Sequence, residues 1–350
     1  MKILQLDMGQ EWRGGQRQVL YLMRHLQAAA GFGTVLATPE GSPLGLRCEQ
    51  AGLAVVFLPG RFEVDPRNIL KLKKLIVSQG IEVVHTHCSR SASLGAMLKK
   101  ICGVRLVHSR RVSYPVKGDL SKLKYRMADA VIAVSAEIAE VMAGCGVARE
   151  KLHVVHSGID PVLYEQAAAA PKPEATVIGV VGALSPQKGH AVFLQALGEL
   201  AAKRNDWRAV IVGDGELRPE LETAVKALGL GQRVEFAGYV ESREALGGIS
   251  ILVVPSVDGE GSSGTIKEGW AAKVPVVCSD LASNMELVQR GQSGLTFANL
   301  KASGLAYQLT VLMDDAGLRD RLVAGGSERL TQFTDTAMAQ AVCQVYGTIG

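Results

Sequence analysis

Short β-branched runs alternate with stretches of helical periodicity along the whole chain. Seven strand candidates come first, at residues 2–6, 34–38, 54–58, 82–86, 105–109, 130–134 and 152–156, and five more follow, at residues 176–182, 208–212, 233–237, 250–254 and 274–278. Because strands that alternate with helices are typical of βαβ units, the pattern predicts an α/β chain with two doubly wound parallel sheets. Ligands of such sheets bind beyond the carboxyl ends of the strands, so two facing sheets would place a site in the cleft between two domains.

A stretch rich in alanine and proline, AAAAPKP at residues 167–173, separates the two sets of strands. Few contacts are expected to cross such a break in composition. A chain of 350 residues also has the length of about two domains. We therefore predict one domain over residues 1–170 and a second domain that starts at residue 171.

Composition excludes several classes of protein. With 47% hydrophobic and 21% charged residues, the chain is neither disordered nor collagen-like. The six cysteines form no C-x-x-C pair, so we expect reduced, mostly buried thiols rather than a disulfide framework or a zinc site. The amino terminus lacks the apolar segment of a signal peptide, and no run approaches the ~20 apolar residues of a membrane span. We expect a cytoplasmic protein.

Positive charge is concentrated in the first half of the chain. Residues 1–170 contain 22 Lys and Arg against 14 Asp and Glu, whereas residues 171–350 contain 16 against 20. The densest basic stretch covers residues 105–126, and a second cluster comprises Lys71, Lys73 and Lys74. An anionic lipid surface or an anionic acceptor would suit both, although an ordinary solvated face has the same composition. Nucleic acid is not an expected partner, because aromatic residues make up only 5% of the chain and do not interleave with the basic ones.

Glycine-rich turns follow several of the predicted strands. Gly14 and Gly15 follow the first strand, and residues 182–189, which include Lys188, follow the first strand of the second half. Glycines let backbone N–H groups approach a phosphate or a sugar, and a lysine beyond a strand end can reach a diphosphate. Each feature is also compatible with a tight turn or a surface lysine that binds nothing. The absence of G-x-G-x-x-G at every strand–helix junction counts against a nicotinamide dehydrogenase.

The most specific motif is PSVDGEGSSGTIKEGW at residues 255–270. It follows a predicted buried strand, and the small residues from Gly261 to Gly264 leave backbone N–H groups open at the start of a helix, which favours a bound phosphate. Glu260 lies in the loop, and Glu268 comes eight positions later, where both can project toward one edge of the sheet. The alternative is that both carboxylates serve only the stability of the helix.

The order of these features resembles that of glycosyltransferase family 4. The resemblance rests on the spacing of Glu260 and Glu268, the loop with Lys188, the Gly14–Gly15 turn, and the segment from residues 133–135 to 156–160. It covers nearly the whole chain. It implies the GT-B fold, in which two Rossmann-like domains face each other across a cleft. It also implies a second domain over residues 171–334 and a final helix, residues 335–350, that crosses back to the first domain.

Carried over by position, the resemblance makes the second domain the donor-binding domain. Lys188 would contact the donor diphosphate, Glu268 the ribose, and Glu260 the donor sugar, while Gly14 and Gly15 would close on the phosphate. The implied donor site comprises Gly14, Gly15, Lys188, Tyr239, Val240, Glu260, Ser262, Ser263, Gly264, Thr265 and Glu268. The backbone near Tyr239 and Val240 would contact the base.

The resemblance also implies three catalytic residues, His108, Glu260 and Lys188. His108 matches the family histidine that follows a late strand of the first domain, and it would hydrogen-bond the sugar near the reacting carbon. One departure concerns charge, because Ala183 stands where many relatives carry an arginine that pairs with the diphosphate. Lys188 would then carry more of the interaction, or Arg13 or Arg110 would substitute.

The reaction implied is transfer of a sugar from a nucleoside diphosphate, UDP before GDP or ADP, to a hydroxyl acceptor with retention of configuration. No protein nucleophile is evident, and the resemblance implies front-face attack in which the departing phosphate receives the proton of the acceptor. We expect no metal and no cofactor, because lysine and a helix N-terminus can stabilise the leaving charge. Three alternatives stay open: a glycoside hydrolase that uses Glu260 and Glu268, a nucleotide-sugar epimerase of the same architecture, and an inactive nucleotide-sugar-binding subunit.

The basic first half and the resemblance together predict a glycan or lipid-linked acceptor, as in lipopolysaccharide biosynthesis, at the inner face of a membrane. The residues expected on the acceptor- or membrane-facing surface are Arg13, Arg110, Arg111, Lys117 and Lys124.

Overall fold

The computed structural model describes residues 1–60, 62, 65–171 and 173–349. The strands are β1 (Lys2–Leu6), β2 (Gly33–Pro39), β3 (Val55–Leu58), β4 (Val83–Thr86), β5 (Arg105–Arg110), β6 (Ala130–Ala133), β7 (Leu152–Val154), β8 (Thr176–Val181), β9 (Trp207–Val212), β10 (Val234–Gly238), β11 (Ile251–Val254), β12 (Val276–Ser279) and β13 (Leu295–Phe297). The helices are α1 (Gly14–Ala28), α2 (Pro43–Gln50), α3 (Pro66–Gln79), α4 (Ser89–Cys102), α5 (Asp119–Arg126), α6 (Ala136–Gly144), α7 (Glu165–Ala169), α8 (His190–Ala201), α9 (Arg218–Ala227), α10 (Ser242–Ala245), α11 (Gly264–Ala271), α12 (Ala282–Leu287), α13 (Ala302–Asp314), α14 (Ala316–Leu330) and α15 (Asp335–Thr348).

These elements form two parallel sheets in two compact units. Unit 1 comprises Met1–Gly158 and Asp335–Gly350, and unit 2 comprises Ile159–Thr334. The sheet of unit 1 has seven strands in the order β3-β2-β1-β4-β5-β6-β7, and the sheet of unit 2 has six in the order β10-β9-β8-β11-β12-β13. The prediction of two doubly wound parallel sheets is confirmed. Strand β13 was not predicted, because a three-residue run is too short to give a periodic signal.

Helix α1 shows how the sequence pattern determines packing in unit 1. Its residues Val19, Leu22, Met23 and Leu26 recur at the spacing of one helical face, and all four are buried. Arg24 and Gln27 are exposed, whereas Gln18 is buried and donates to Gly158 O at 2.7 Å. The helix therefore covers the sheet with an apolar stripe and begins at the glycines that follow β1.

The boundary between the units lies earlier than the sequence predicts. We expected it after residue 170, whereas the units separate between Gly158 and Ile159. Within the expected linker, residues up to Ala169 belong to α7, and Ala167 packs against the core of unit 2 beside Leu246. Alanine is the best helix former, so an alanine run extends a helix where composition suggested an open linker. Lys172 of that linker lies outside the described residues.

Helix α15 belongs to unit 1 although it is the last element of the chain. Met338, Val342, Val345 and Tyr346 are buried in the same cluster as Ile3 of β1 and as residues of α1. This burial of apolar surface supplies the free energy that holds the helix against the first sheet.

None of the described helices is both long enough and apolar enough to span a bilayer. All six cysteines are free thiols, of which Cys48, Cys145 and Cys278 are buried.

Candidate active site

Each sheet has one position at which the strand order reverses direction. In unit 1, β1 pairs with β2 on one side and with β4 on the other. In unit 2, β8 pairs with β9 and with β11. Loops that leave neighbouring strands at such a switch point diverge to opposite faces of the sheet, and ligands of doubly wound folds bind in the crevice that results. The loop with Gly14–Gly15 follows β1, and the loops at residues 182–189 and 255–263 follow β8 and β11.

In unit 2, an ion pair joins the loops that follow β8 and β11. The Lys188 ammonium donates to Glu260 Oε1 at 2.5 Å, and Ser256 Oγ donates to the same oxygen at 2.6 Å. Burial by itself raises the pKa of the Glu260 carboxyl, but the charge and hydrogen bond of Lys188 and the bond from Ser256 outweigh it and lower the pKa. Glu260 is therefore held as a carboxylate, and its Oε1 atom is engaged.

The same two loops also touch through their backbones. Val257 N donates to Gln187 O at 2.9 Å. Gly189 has φ +70°, and a Cβ at this position would overlap the carbonyl oxygen of Pro255. Only glycine combines that conformation with that approach, so Gly189 holds Lys188 at the edge of the sheet.

Helix α11 begins beside this ion pair. Ser263 occupies the cap position with no side-chain hydrogen bond to the helix, and it is buried, whereas Ser262, Gly264 and Thr265 are partly exposed. Glu268 is 8% exposed, and a Cβ on Gly264 would lie 3.8 Å from Glu268 Oε1. The carboxylate of Glu268 thus lies over the first turn of the helix, so the two predicted carboxylates share one edge of the sheet.

Lys267 is a site residue that the sequence analysis missed. Its side chain has no exposed surface, its ammonium donates to Ser262 Oγ at 2.7 Å, and it lies 5.5 Å from the ring centroid of Phe333. Burial lowers the pKa of Lys267 to about 7, although Glu260 and Glu268 act in the opposite direction. Its position gave no clear signal, since adjacent residues of a helix point in different directions and burial of a lysine depends on tertiary packing.

The predicted base-contacting residues lie at the carboxyl end of β10. Tyr239 is 74% exposed, and its hydroxyl donates to Glu241 Oε1 at 3.0 Å, while Val240 is partly exposed. Strand β10 forms an edge of the second sheet, beyond β9. Tyr239 and Val240 therefore lie two strands away from the loop that carries Lys188.

In unit 1, a buried carboxylate organises the loop after β1. Asp7 accepts hydrogen bonds from Gly9 N at 2.6 Å and from Gln16 Nε2 at 3.4 Å, and Gln16 Oε1 accepts from Arg13 N at 3.3 Å. Burial raises the pKa of Asp7, against the opposing effects of the Gly9 hydrogen bond and of Arg111. These bonds fix the loop of residues 7–13 against the start of α1, whose first two residues are Gly14 and Gly15.

Arg111 lies beside this loop rather than on an outer basic face. Its guanidinium donates to His87 O at 3.0 Å and to His87 Nδ1 at 3.2 Å, and a Cβ on Gly15 would lie 3.6 Å from Arg111 Cδ. The side chain therefore packs along the first turn of α1. Arg111 is predicted on an acceptor- or membrane-facing surface, whereas the structure holds its guanidinium against His87, just beyond β4, and its side chain against the start of α1.

His108 occupies the interior of β5, not a strand end. It has no exposed surface, and its ring nitrogens are bound by Thr86 Oγ1 at 2.5 Å and Lys124 O at 3.0 Å. Burial lowers the pKa of His108 to about 4. The prediction that His108 contacts a sugar is wrong, because both nitrogens already have partners within unit 1. His87, one residue beyond the end of β4, is the histidine at the switch point.

Two further residues of the predicted basic face are also buried. The Lys124 ammonium donates to Ser89 O at 2.9 Å and to Ser93 Oγ at 3.1 Å, and Arg110 donates to Tyr114 O and packs over the Tyr114 ring. They are 8% and 7% exposed. Both predictions are wrong, because these side chains tie α5 and its neighbouring loop to unit 1.

Arg13 and Lys117 of the same predicted face are at the surface. Arg13 is paired with Glu11 at 2.5 Å.

Two family models match the chain in succession. The model described as Glycosyltransferase Family 4 matches residues 12–163, and the model described as Glycosyl transferases group 1 matches residues 175–315. Together they cover every strand of both sheets except β1.

The curated relatives that the chain matches are named glycosyltransferases. A 2-deoxystreptamine glucosyltransferase from Streptomyces kanamyceticus is 28% identical over 246 residues, which is 66% of this chain and 61% of that protein. The lipopolysaccharide core biosynthesis glycosyltransferase LpsE from Rhizobium meliloti is 29% identical over 243 residues, or 68% of each chain. The chain thus spans less than two thirds of the length of the first relative and slightly more than two thirds of the length of the second.

Among solved structures, HepE (Alr3699) from Anabaena, in complex with UDP, superposes with a TM-score of 0.86 at 19% identity and covers 99% of this chain and 100% of its own. At that identity the likeness establishes the fold. The fold, the two successive family models and the named relatives agree, and the chain belongs to glycosyltransferase family 4 and has the GT-B fold.

Proposed function

We propose that the protein transfers a sugar from a nucleoside diphosphate donor to a hydroxyl group of a glycan or lipid-linked acceptor, with retention of configuration. The observation that carries this proposal is the grouping of Lys188, Glu260 and Glu268 at the switch point of unit 2, around the start of α11. A cation, an open helix start and two carboxylates provide separate partners for phosphates and for sugar hydroxyls.

Each group has one task in this proposal. The Lys188 ammonium and the first-turn N–H groups of α11 bind the diphosphate, and Glu268 accepts hydrogen bonds from the ribose hydroxyls. Glu260, held ionised by Lys188, keeps its second oxygen for hydroxyls of the donor sugar. The backbone at Tyr239 and Val240 lies at the carboxyl end of an edge strand, where a base can stack without being enclosed.

The chemical step breaks the bond between the anomeric carbon and the diphosphate oxygen. The acceptor oxygen forms the new bond on the same face of the sugar, and its proton passes to the departing phosphate oxygen. Positive charge near that oxygen stabilises the leaving group. Glu260 is a poor nucleophile in this arrangement, because two hydrogen bonds engage its Oε1 atom.

In unit 1, the anion-binding group is Arg111 together with the first residues of α1, Gly14 and Gly15. Ala183 is exposed at the end of β8 and carries no charge. Arg13 is paired with Glu11, and Arg110 packs on Tyr114. Arg111 is the arginine that packs against the start of α1, so we assign to it the contact with an anionic group of the substrate.

The named relatives support the choice of donor and acceptor. HepE was crystallised with UDP, and we therefore place UDP before GDP and ADP. LpsE acts in lipopolysaccharide core biosynthesis, which supports a cell-surface glycan or its lipid-linked precursor as acceptor.

Thermal denaturation with UDP, GDP and ADP tests the donor site. A nucleotide at one hundred times its Kd stabilises the protein by about 2.7 kcal/mol, a shift of several degrees in Tm. We expect UDP to give this shift with the wild type and with the surface controls Lys226→Ala and Glu199→Gln, and a much smaller shift with Lys188→Ala and Glu268→Gln. If no nucleotide shifts the Tm of the wild type, or if the site variants respond like the controls, the proposal fails.

We further propose that the acceptor is reached at an anionic membrane, through a surface of unit 1 that shares Lys117 with the predicted one. Leu120 and Leu123 of α5 are 86% and 44% exposed beside a groove lined by Met97 and Lys100 of α4. Lys117 precedes the same helix. Exposed leucines flanked by lysines favour adsorption to anionic lipid.

Flotation with vesicles that contain phosphatidylglycerol tests this surface. Leu120→Ser and Lys117→Glu should each reduce the bound fraction at low salt, whereas Lys226→Glu on unit 2 should not. Equal binding of all variants would contradict the proposal.

A further inference from the structure

A chain of buried polar side chains runs through unit 1 from the last helix to the first switch point. The Tyr346 hydroxyl lies 2.6 Å from His85 Nδ1 and accepts from Gln5 Nε2 at 3.2 Å, and Gln5 Oε1 lies 2.7 Å from His87 Nε2. His85 Nε2 lies 2.8 Å from Ser109 Oγ. Gln5, His85 and Tyr346 have no exposed surface. These contacts link α15 to strands β1 and β4.

The far end of the chain is Arg111, and it determines the direction of every bond. A guanidinium has donors only, so His87 Nδ1 must accept from Arg111 at 3.2 Å. His87 then carries its proton on Nε2 and donates to Gln5 Oε1. The amide of Gln5 donates to the Tyr346 hydroxyl. Because this hydroxyl is buried, its own proton goes to His85 Nδ1. His85 therefore holds its proton on Nε2 and donates to Ser109.

Burial keeps the side chains of Tyr346, His85 and His87 uncharged. It lowers the pKa of His85 and of His87 well below the usual value, and it raises the pKa of Tyr346. The cavity beside the two histidines has a volume of ≈ 20 Å³, which is room for about one water molecule. A cavity of this size has no room for a sugar beside the two histidines.

We propose that this chain of hydrogen-bonded side chains, from Tyr346 to His87, is a relay that fixes the Arg111 guanidinium at the switch point. In this proposal Tyr346 of the C-terminal helix is a positioning residue for glycosyl transfer. The part played by Arg111 in the reaction rests on the function proposed above. The relay itself rests on hydrogen bonds within unit 1. Arg111 Nε is buried without a hydrogen-bond partner, so the two bonds to His87 set the orientation of the guanidinium plane.

NMR of the full chain, labelled with ¹⁵N at histidine and arginine, tests the relay without a substrate. We expect neutral His85 and His87, both protonated on Nε2, and a slowly exchanging Arg111 Nε–H signal. In Tyr346→Phe the Arg111 signal should broaden, whereas in Val345→Ala, which shortens a buried side chain of the same helix, it should persist. A proton on His87 Nδ1, or an unchanged Arg111 signal in Tyr346→Phe, would overturn the proposal. The wild-type tautomers decide the matter if Tyr346→Phe does not fold.

Release of UDP from UDP-glucose tests the effect on the reaction. Tyr346→Phe and Arg111→Lys should each slow release by about tenfold, and the double variant should be no slower than Arg111→Lys, because both act on one group. Multiplied effects would overturn the positioning role. Absence of turnover in the wild type would contradict the proposed function instead, and the NMR result would still decide the relay.

Discussion

The ion pair of Lys188 and Glu260 joins residues that are 72 positions apart in the chain. The exposed fraction is 29% for the lysine side chain and 10% for the glutamate. A carboxylate this buried lowers the stability of the fold when it has no partner. The ammonium is less affected by the loss of its partner, because it still reaches solvent. Removing the lysine should therefore cost more stability than removing both charges together.

We predict that Lys188→Met lowers the free energy of unfolding at pH 7 by about 1–3 kcal/mol, because Glu260 is left as an unpaired carboxylate. Lys188→Met combined with Glu260→Gln should recover most of the loss. Urea denaturation of both variants measures the difference. Because the pairing lowers the pKa of Glu260, its contribution is present above the pKa of an unfolded glutamate and is lost as pH falls. The difference in the free energy of unfolding between wild type and Lys188→Met should thus become smaller in acid. A double variant less stable than Lys188→Met would contradict this explanation.

Lys267 predicts a pH dependence of the same sign in a more alkaline range. Its pKa in the folded state is about 7, whereas an unfolded lysine titrates near ~10.4. Between these values the unfolded chain binds more protons than the folded one, so this residue makes stability rise with pH. Lys267→Met should remove that rise, so that the free energy of unfolding changes less between pH 7 and pH 9 than in the wild type. Parallel urea denaturation curves at both pH values measure it, and an identical change in both proteins would rule out a buried, depressed lysine.

At the scale of residues, the sequence pattern indicates where Glu260 and Glu268 lie, but it does not indicate which cations are buried. Glu260 and Glu268 were found because a loop and a helix start brought them to one strand end. Lys124 and Arg110 were placed on a surface because charge density along the sequence carries no information about burial. His108 was misassigned by alignment to a motif, since strand β5 continues two residues beyond it and encloses the ring.

At the scale of elements, a close approach of two backbones shapes the loops at residues 182–189 and 255–263. Gly189 joins the turn after β8 to α8, and its missing side chain allows the loop after β11 to lie against it. Gly229, at the end of the turn after α9, has nearly the same φ, +67° against +70°, but nothing lies within 4 Å of its Cβ position. Comparing the two positions therefore separates the effect of the left-handed backbone conformation from the effect of the contact with the neighbouring loop.

We predict that Gly229→Ala costs about 1 kcal/mol, the penalty of a left-handed alanine. Gly189→Ala should cost at least about 2 kcal/mol more, because the Pro255 carbonyl must also move. Gly189→Ala should in addition reduce the shift in Tm that UDP produces, whereas Gly229→Ala should leave that shift intact. Urea denaturation and thermal melts of the two variants provide the comparison, and equal costs would show that the two loops do not constrain each other.

The elements themselves were largely predictable, with instructive exceptions. Apolar runs gave twelve of the thirteen strands, but β13 has only three residues and lacked a pattern. Helix α7 was read as a linker because an alanine run next to prolines looks like a spacer, whereas its contact with Leu246 is set by tertiary packing.

At the scale of the whole molecule, the order of strands determines where chemistry is possible. Each unit has one switch point, and the motifs found in the sequence follow the central strands at both. The alternation of strands and helices was enough to predict two parallel sheets. It could not predict the buried relay of unit 1, because Tyr346 and His85 are 261 positions apart and meet only through packing of α15.

The central claim is that unit 2 binds a nucleoside diphosphate at its switch point. Hydrogen–deuterium exchange of the full chain, with and without UDP, tests it most directly because it reports where protection arises. We predict slower exchange in peptides that cover residues 182–189 and 255–271, no change in α13 and α14, and loss of the effect in Glu268→Gln but not in Glu199→Gln. Protection confined to other segments, or equal protection in Glu268→Gln, would contradict the claim.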